Sequence, residues 1–406
     1  MRAMLCKSAL ALLLLSAACG GSSVSVQPTV RALPPADPRA ASKYLEACAL
    51  LAANKPAEDQ RAAALLREAL QIDSYLWEAH YNLGVIYLRR GELRKAESEL
   101  EAAHKAQPAA GEPLLALAEA KEALGEREHA SDLLAEYLKQ HEDAPDVRVA
   151  LTAILREQGQ YEAALEQARA ALVRDPKSSG ALLEVGRVYR ARGELDVADL
   201  VFGRALHLDE KSPRPHNELG LTALARGDTQ LAFEHFEAAL KADKGFAPAR
   251  LNRASVLLRA GDYKAAEVEY RQVLAEEPGH DDARVGLAIA LRGEGKNGEA
   301  ATEYERVLDQ SPNHAAALFD LAVLRAEFLQ RRADSRELFE RFLAVAGEGP
   351  ARSAAERYLK EIPEEPSAAP PVAPSGAPEK TKKSASGKAA GGKRGKTAAV
   401  HKGAAP

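Results

Sequence analysis

The chain has 406 residues, 5% of them aromatic, and a formal net charge of −4. That length would accommodate two or three ordinary domains, but so few aromatics beside abundant alanine fit thin helix-on-helix packing. Three cysteines, two of them among the first 19 residues, exclude a disulfide framework. The charge is uneven, because residues 1–18 hold Arg2 and Lys7 without an acid, residues 363–406 hold eight Lys/Arg against three Glu, and the body between is acidic.

Residues 1–18 read as an export signal, with Arg2 and Lys7 ahead of the apolar stretch ALALLLLSAA. The stretch is too short to cross a bilayer, which takes about 20 apolar residues. Leu15-Ser16-Ala17-Ala18-Cys19, followed by Gly20-Gly21-Ser22-Ser23, resembles the lipobox of bacterial lipoproteins. The resemblance implies cleavage before Cys19, a diacyl group on its sulfur and an acylated amino group. Several acyl chains make a stable anchor, since each buried methylene adds about 0.8 kcal/mol and one chain alone is marginal. Ser16 departs from that family's leucine three residues before the cysteine. The other reading is a plain signal cut after Ala18, with Cys19 inert. Gly20 in place of an aspartate implies, by the family's rule, the outer membrane of a Gram-negative bacterium and a chain facing the periplasm. Cys6 leaves with the leader, and Cys48, in the first apolar helix, reads as a small buried hydrophobe. Residues 19–40 read as the lipidated cysteine and a flexible tether rich in Gly, Ser and Pro, reaching about 65 Å at full extension.

Seven glycines then recur every 34 residues: Gly91, Gly125, Gly159, Gly193, Gly227, Gly261 and Gly295. Five residues beyond each stands an alanine, from Ala96 to Ala300, and seven before each stands a small residue such as Gly84, Gly186 or Ala288. A fixed period of this size marks a stacked array of helical hairpins. In the unit Ser179–Ser212, Leu182, Val185, Gly186 and Tyr189 form one apolar helix stripe. Gly193 ends that helix, and Ala198, Phe202 and Ala205 line the second. Pro108, Pro176, Pro278 and Pro312 recur near unit ends, where proline cannot continue a helix.

The unit starting at Trp77 resembles the tetratricopeptide repeat through Trp77, Leu83, Gly84, Tyr87, Ala96, Leu100, Ala103 and Pro108. Strong units start at 77, 111, 145, 179, 213, 247 and 281. A degenerate unit precedes them at about Lys43–Leu76. Another follows at Ala315–Gly349, with one residue inserted before Phe339 and Phe342, and Ala351–Ile362 reads as a terminal cap. The resemblance implies an all-α, right-handed superhelical solenoid over 41–362, built of about nine hairpins and a cap helix. Arg253, where the pattern has leucine, and Lys121, where it has an aromatic, are local departures.

Residues 363–406 read as a disordered Pro/Ala linker and a basic low-complexity tail, too poor in apolar residues to fold alone. The tail reads either as an arm for an anionic polymer or as a solvated end. Nucleic acid is disfavoured by the export signal and by the lack of interleaved aromatics.

Gly293-Glu294-Gly295-Lys296-Asn297-Gly298 matches a dinucleotide fingerprint but sits in a turn between two repeat helices, without the strand that motif requires. No His/Cys set has metal spacing, and no nucleophile–base pair stands out, so neither cofactor, metal nor catalytic residue is expected.

The resemblance instead implies a ligand groove on the concave side, lined by positions 2, 5, 9 and 12 of each unit. Position 5 is mostly apolar, and Arg156, Arg187, Arg190 and Arg214 gather over units 145–213 with Asn217 beside them. Such a cluster could take a partner's carboxylates, or Glu157, Glu184 and Glu218 could neutralise it as ordinary surface pairs. Anchor and array together imply a lipid-held scaffold or assembly factor for other envelope proteins, such as a pilus, secretion or gliding-motility complex. A non-catalytic partner or regulator of a cell-wall enzyme, and an adhesion module working through the basic tail, are the alternatives.

Overall fold

The computed structural model describes residues 36–52 and 56–362, and these form nineteen helices and no strand. The leader, Cys19, most of the tether and the tail lie outside the described residues. The helices are α1 (Pro38–Ala52), α2 (Pro56–Ile72), α3 (Trp77–Arg89), α4 (Leu93–Ala106), α5 (Gly111–Ala123), α6 (Arg127–Gln140), α7 (Pro145–Glu157), α8 (Tyr161–Arg174), α9 (Ser179–Ala191) and α10 (Leu195–Leu208). They continue with α11 (Pro213–Arg226), α12 (Thr229–Ala242), α13 (Ala247–Ala260), α14 (Tyr263–Glu276), α15 (Asp281–Gly293), α16 (Asn297–Gln310), α17 (Ala315–Glu327), α18 (Arg332–Val345) and α19 (Pro350–Glu361). Paired in order, they make nine hairpins closed by α19.

Each hairpin packs its two helices together and lays its second helix on the first helix of the next. First helices also touch across hairpins, from α3 on α5 through to α13 on α15, and no two successive second helices pack as closely. The first helices therefore crowd the inner side of a curved array, and the second helices spread over the outer side.

The comb of glycines supplies the turns. All seven have positive φ, from 70° to 85°, a region that glycine enters without steric cost. The next residue then donates its N–H five residues back, Glu194 to the Tyr189 carbonyl and Asp228 to that of Ala223, both at 2.9 Å. The seven alanines are all fully buried. The small position in the first helix faces a bulky side chain of the second. A Cβ at Gly84 would lie 2.5 Å from Leu100 Cγ, and one at Gly186 would lie 2.7 Å from Phe202 Cδ1.

Arginine or histidine at the fourth residue of several units bolts hairpins shut. His80 Nδ1 lies 2.6 Å from Glu99 Oε2, Arg148 donates to Gln167 Oε1 at 2.7 Å, and Arg284 to Glu303 Oε2 at 2.9 Å. Arg148 also reaches the Glu142 carbonyl in the preceding turn, and Arg250 and Arg284 reach those of Lys244 and Pro278. The same side chain thus ties a helix start, its partner helix and the incoming loop.

Two boundaries differ from the sequence expectation. Helix α1 begins at Pro38, not near Lys43, so its first turn lies within the stretch read as tether. Pro38 takes the first helical position, where its missing N–H costs nothing, and Asp37 Oδ1 accepts from Arg39 N at 2.8 Å as a cap. The extra residue of the ninth hairpin sits in its turn. No glycine is available there, so Gln330 carries the positive φ, 54°. Ser335 then occupies the alanine's place, fully buried, and Phe339 and Phe342 follow in register.

The cap helix seals the far end. Tyr358 stacks on Phe339 at 4.8 Å with an 11° interplanar angle. Arg352 donates to the Leu343 and Ala346 carbonyls at the end of α18, at 3.1 and 2.8 Å, and Arg336 reaches the Ile362 carbonyl at 2.7 Å. These cations satisfy terminal carbonyls that a helix leaves open.

If the tight helix seam sets the packing, Gly186→Ala should destabilise the array by about 1–3 kcal/mol. Trimming the facing ring with Phe202→Leu in the same chain should recover part of that loss. Urea denaturation followed by circular dichroism measures both, and an unchanged midpoint in the glycine variant would remove the claim.

Candidate functional site: the inner helix face

Successive first helices meet through a fixed set of positions. Gly180 lies against Val149, so that a Cβ there would stand 3.6 Å from Val149 Cγ1. Asn252 Nδ2 donates to Asn217 Oδ1 at 2.9 Å. These contacts join positions 2, 5 and 6 of neighbouring units, with positions 9 and 12 running along the same face.

Three of the four arginines expected to form a binding cluster do come together, on α7 and α9, but their charges are already used. Arg156 Nε lies 3.3 Å from Glu184 Oε2, and Arg187 Nη1 lies 2.5 Å from Glu184 Oε1. Arg187 Nη2 then reaches Glu218 Oε1 at 2.5 Å, and Arg190 Nη1 reaches Glu218 Oε2 at 2.6 Å. Arg190 also lies over the Phe202 ring. Glu184 and Glu218 are 5% and 3% exposed, so this is an internal ladder across three hairpins, not a set of ordinary surface pairs. Burial works to raise the Glu218 carboxyl, but hydrogen bonds and charge from Arg187 and Arg190 outweigh it and hold it below the ordinary range. Burial likewise opposes the Arg187 cation, and the two glutamates more than offset it.

Glu157 stays peripheral, 3.5 Å from Arg156. Arg214 is exposed and stands outside the ladder. Asn217 is buried and spent on Asn252. The other departures from the repeat pattern are neutralised in the same way. Lys121 lies 2.7 Å from Glu97 Oε1, and Arg253 pairs with the buried Glu269 at 2.5 Å.

The sequence reading did not single out the acids that flank this ladder on the N-terminal side. Glu112 and Glu119 of α5 bear on Tyr81 of α3; burial raises the Tyr81 hydroxyl first, and both carboxylates add to it. Desolvation by the surrounding walls raises the Glu78 and Glu119 carboxyls. The same desolvation raises Glu122, helped by the charge of Glu157. Acids at positions 2, 9 and 12 of adjacent units were the available signal. On the C-terminal side the same rows carry half-buried Leu221, Leu224, Leu251, Leu258, Ile289 and Val323. Cys48 is buried in the first hairpin's core, as expected. Among the described residues no group of three or more His, Cys, Asp or Glu is placed to hold a metal, and no helix is long and apolar enough to cross a membrane.

A tetratricopeptide repeat model matches residues 115–179, 154–213, 183–245, 251–315 and 285–328, more than half of the chain, and two further models of this repeat match 78–109 and 223–269. The chain belongs to the tetratricopeptide repeat family. No curated protein matches the sequence. Among solved structures, this repeat protein is similar to the Cut9–Hcn1 hetero-tetramer of the APC/C, with 15% identity and a TM-score of 0.49 over 76% of this chain and 59% of that one. It thus spans about three fifths of that relative's length. Yeast Tom70 matches at 14% identity and a TM-score of 0.43, over 79% and 96% of the two chains. TTC0263, a thermophilic repeat protein of Thermus thermophilus, matches at 24% and 0.40, over 45% and 99%. These likenesses are of fold alone. Tetratricopeptide arrays are protein-interaction scaffolds, and this chain carries one over at least residues 78–328.

Removing the shared acid leaves the half-buried Arg190 without its carboxylate and Arg187 with Glu184 alone. Glu218→Ala should therefore cost roughly 3 kcal/mol at pH 7. The folded Glu218 carboxyl lies below its ordinary value of 4.5, so its stabilisation is complete above that pH and is lost as pH falls through the folded value. The deficit of the variant should shrink correspondingly in acid. Denaturant midpoints at pH 7 and pH 3.5 test it, and a deficit of equal size at both would contradict the ladder.

Proposed function

We propose that this repeat protein is a non-catalytic scaffold that collects other envelope proteins on its inner face, held at the outer membrane by lipid on Cys19 and facing the periplasm. The observation that carries this reading is the inner face itself. It runs through successive first helices, its central arginines are internally neutralised, and what it offers a partner is an acidic stretch and an apolar one. Such a surface fits an extended or helical segment of another protein that combines basic and apolar residues. The anchor rests on the Leu15–Cys19 sequence and its Gly/Ser spacer. A scaffold on a tether of this kind would position components of an envelope machine such as a pilus, secretion or gliding-motility complex.

Two measurements test the two halves. Cys19→Ser should abolish incorporation of labelled palmitate and shift the protein to the soluble fraction; a variant still held by membranes would remove the anchor. Crosslinking capture from intact envelopes should lose its main partners with Glu112→Lys/Glu119→Lys. An unchanged partner set with a folded variant would place binding elsewhere.

A further inference from the structure

The inner face is divided into two chemistries by the arginine–glutamate ladder. From α11 to α17 it shows half-buried Leu221, Leu224, Leu251, Leu258, Ile289 and Val323. From α3 to α5 it shows Glu78, Glu112, Glu119 and Glu122, a row of acids on two adjacent first helices that suits a cationic ligand. The ladder between them presents no unpaired arginine.

The sequence after Ile362 has the same two chemistries in the same order. Residues 363–378, PEEPSAAPPVAPSGAP, are mostly Pro and Ala. All eight Lys/Arg of the tail follow, from Lys380 to Lys402, with no acid among them. The array ends at α19, beside α18. A segment leaving that point and running back along the inner face meets the apolar half first and the acidic half second.

The distances agree. Seven steps separate α17 from α3, about 70 Å at roughly 10 Å between packed helices. The Pro/Ala stretch alone spans up to about 50 Å in the polyproline II form, and the basic stretch adds up to about 90 Å when extended.

We infer that residues 363–406 fold back as an intramolecular ligand of the inner face, the Pro/Ala stretch against the leucine rows and the lysines against Glu112, Glu119 and Glu122. The tail is then a resident competitor that a partner must displace. Its attachment to the array gives it a local concentration of the order of millimolar, so weak contacts suffice to hold it. This inference rests on the inner face being the binding surface, and it adds the chain's own end as the first occupant.

The test uses the full chain. Zero-length carbodiimide coupling of a 1:1 mixture of 14N and 15N protein, at low salt, joins lysines to carboxylates in contact and separates links within a chain from links between chains. Peptide mapping should find intrachain links from Lys380–Lys402 to Glu112, Glu119 or Glu122. Their yield should fall about tenfold in 0.5 M NaCl, and in Glu112→Lys/Glu119→Lys. A tail with Lys380, Lys382 and Lys383 changed to Gln should capture more partner protein than the native tail. Links that join 14N to 15N chains, that fall on second-helix carboxylates, or that persist undiminished in the double variant would overturn the proposal. Partner capture that survives while these links fail would leave the scaffold reading standing without the resident tail; links that form while capture fails would do the reverse.

Discussion

In the repeated hairpins one side of the seam carries a small residue, and in three of them the space is so narrow that this residue is glycine. Gly84 faces Leu100, Gly186 faces Phe202 and Gly220 faces Phe236, and a methyl group on any of these glycines would collide with its opposite. Close approach of this kind fixes the angle between the two helices, and the angle repeated at every unit fixes the curvature. Curvature in turn makes an inner side and an outer side. Everything the first helices offer to a partner depends on that seam holding its spacing from one unit to the next.

Because the array is one-dimensional, its stability is a sum over units and their interfaces. The apolar core is not even along it. It is broad at the ends, where α1–α5 and α13–α19 share large clusters, and thin over α9–α12. The arginine–glutamate ladder lies across that thin stretch. Buried ion pairs contribute little net stability against a well-packed apolar alternative, but breaking one is costly. The ladder therefore sets the register of α7, α9 and α11 more than it strengthens them, since a shifted helix would strand Glu184 or Glu218 without a cation.

The hairpins were legible because glycine, alanine and the small position each answer one steric demand, and all three repeat with the same period. The inserted residue was legible from Phe339 and Phe342, though the turn that absorbs it became visible only through Gln330. The start of α1 was not, because Pro38 suits a tether and the first turn of a helix equally well. The ladder was half legible. Arg187 and Arg190 share a face by spacing alone, but whether Glu184 and Glu218 are buried depends on contacts 28 to 31 residues away. Nothing in a single helix reports that. The clamps from Arg148 and Arg284 escaped notice for the same reason, as their partners stand 19 residues on, in the facing helix.

A neutral centre with unlike flanks has a consequence for recognition. Had the arginines been free, the middle of the inner face would have drawn any acidic segment, wherever it carried its charge. With those cations committed to Glu184 and Glu218, the centre adds shape but little field, and selectivity passes to the two flanks. A ligand must then carry apolar and basic stretches in the right order and at the right separation to engage both, since each flank alone offers only half-buried apolar side chains or a row of acids. Order and spacing, unlike net charge, are not satisfied by chance encounters, which is how a surface built from repeated and individually ordinary helices can discriminate between partners.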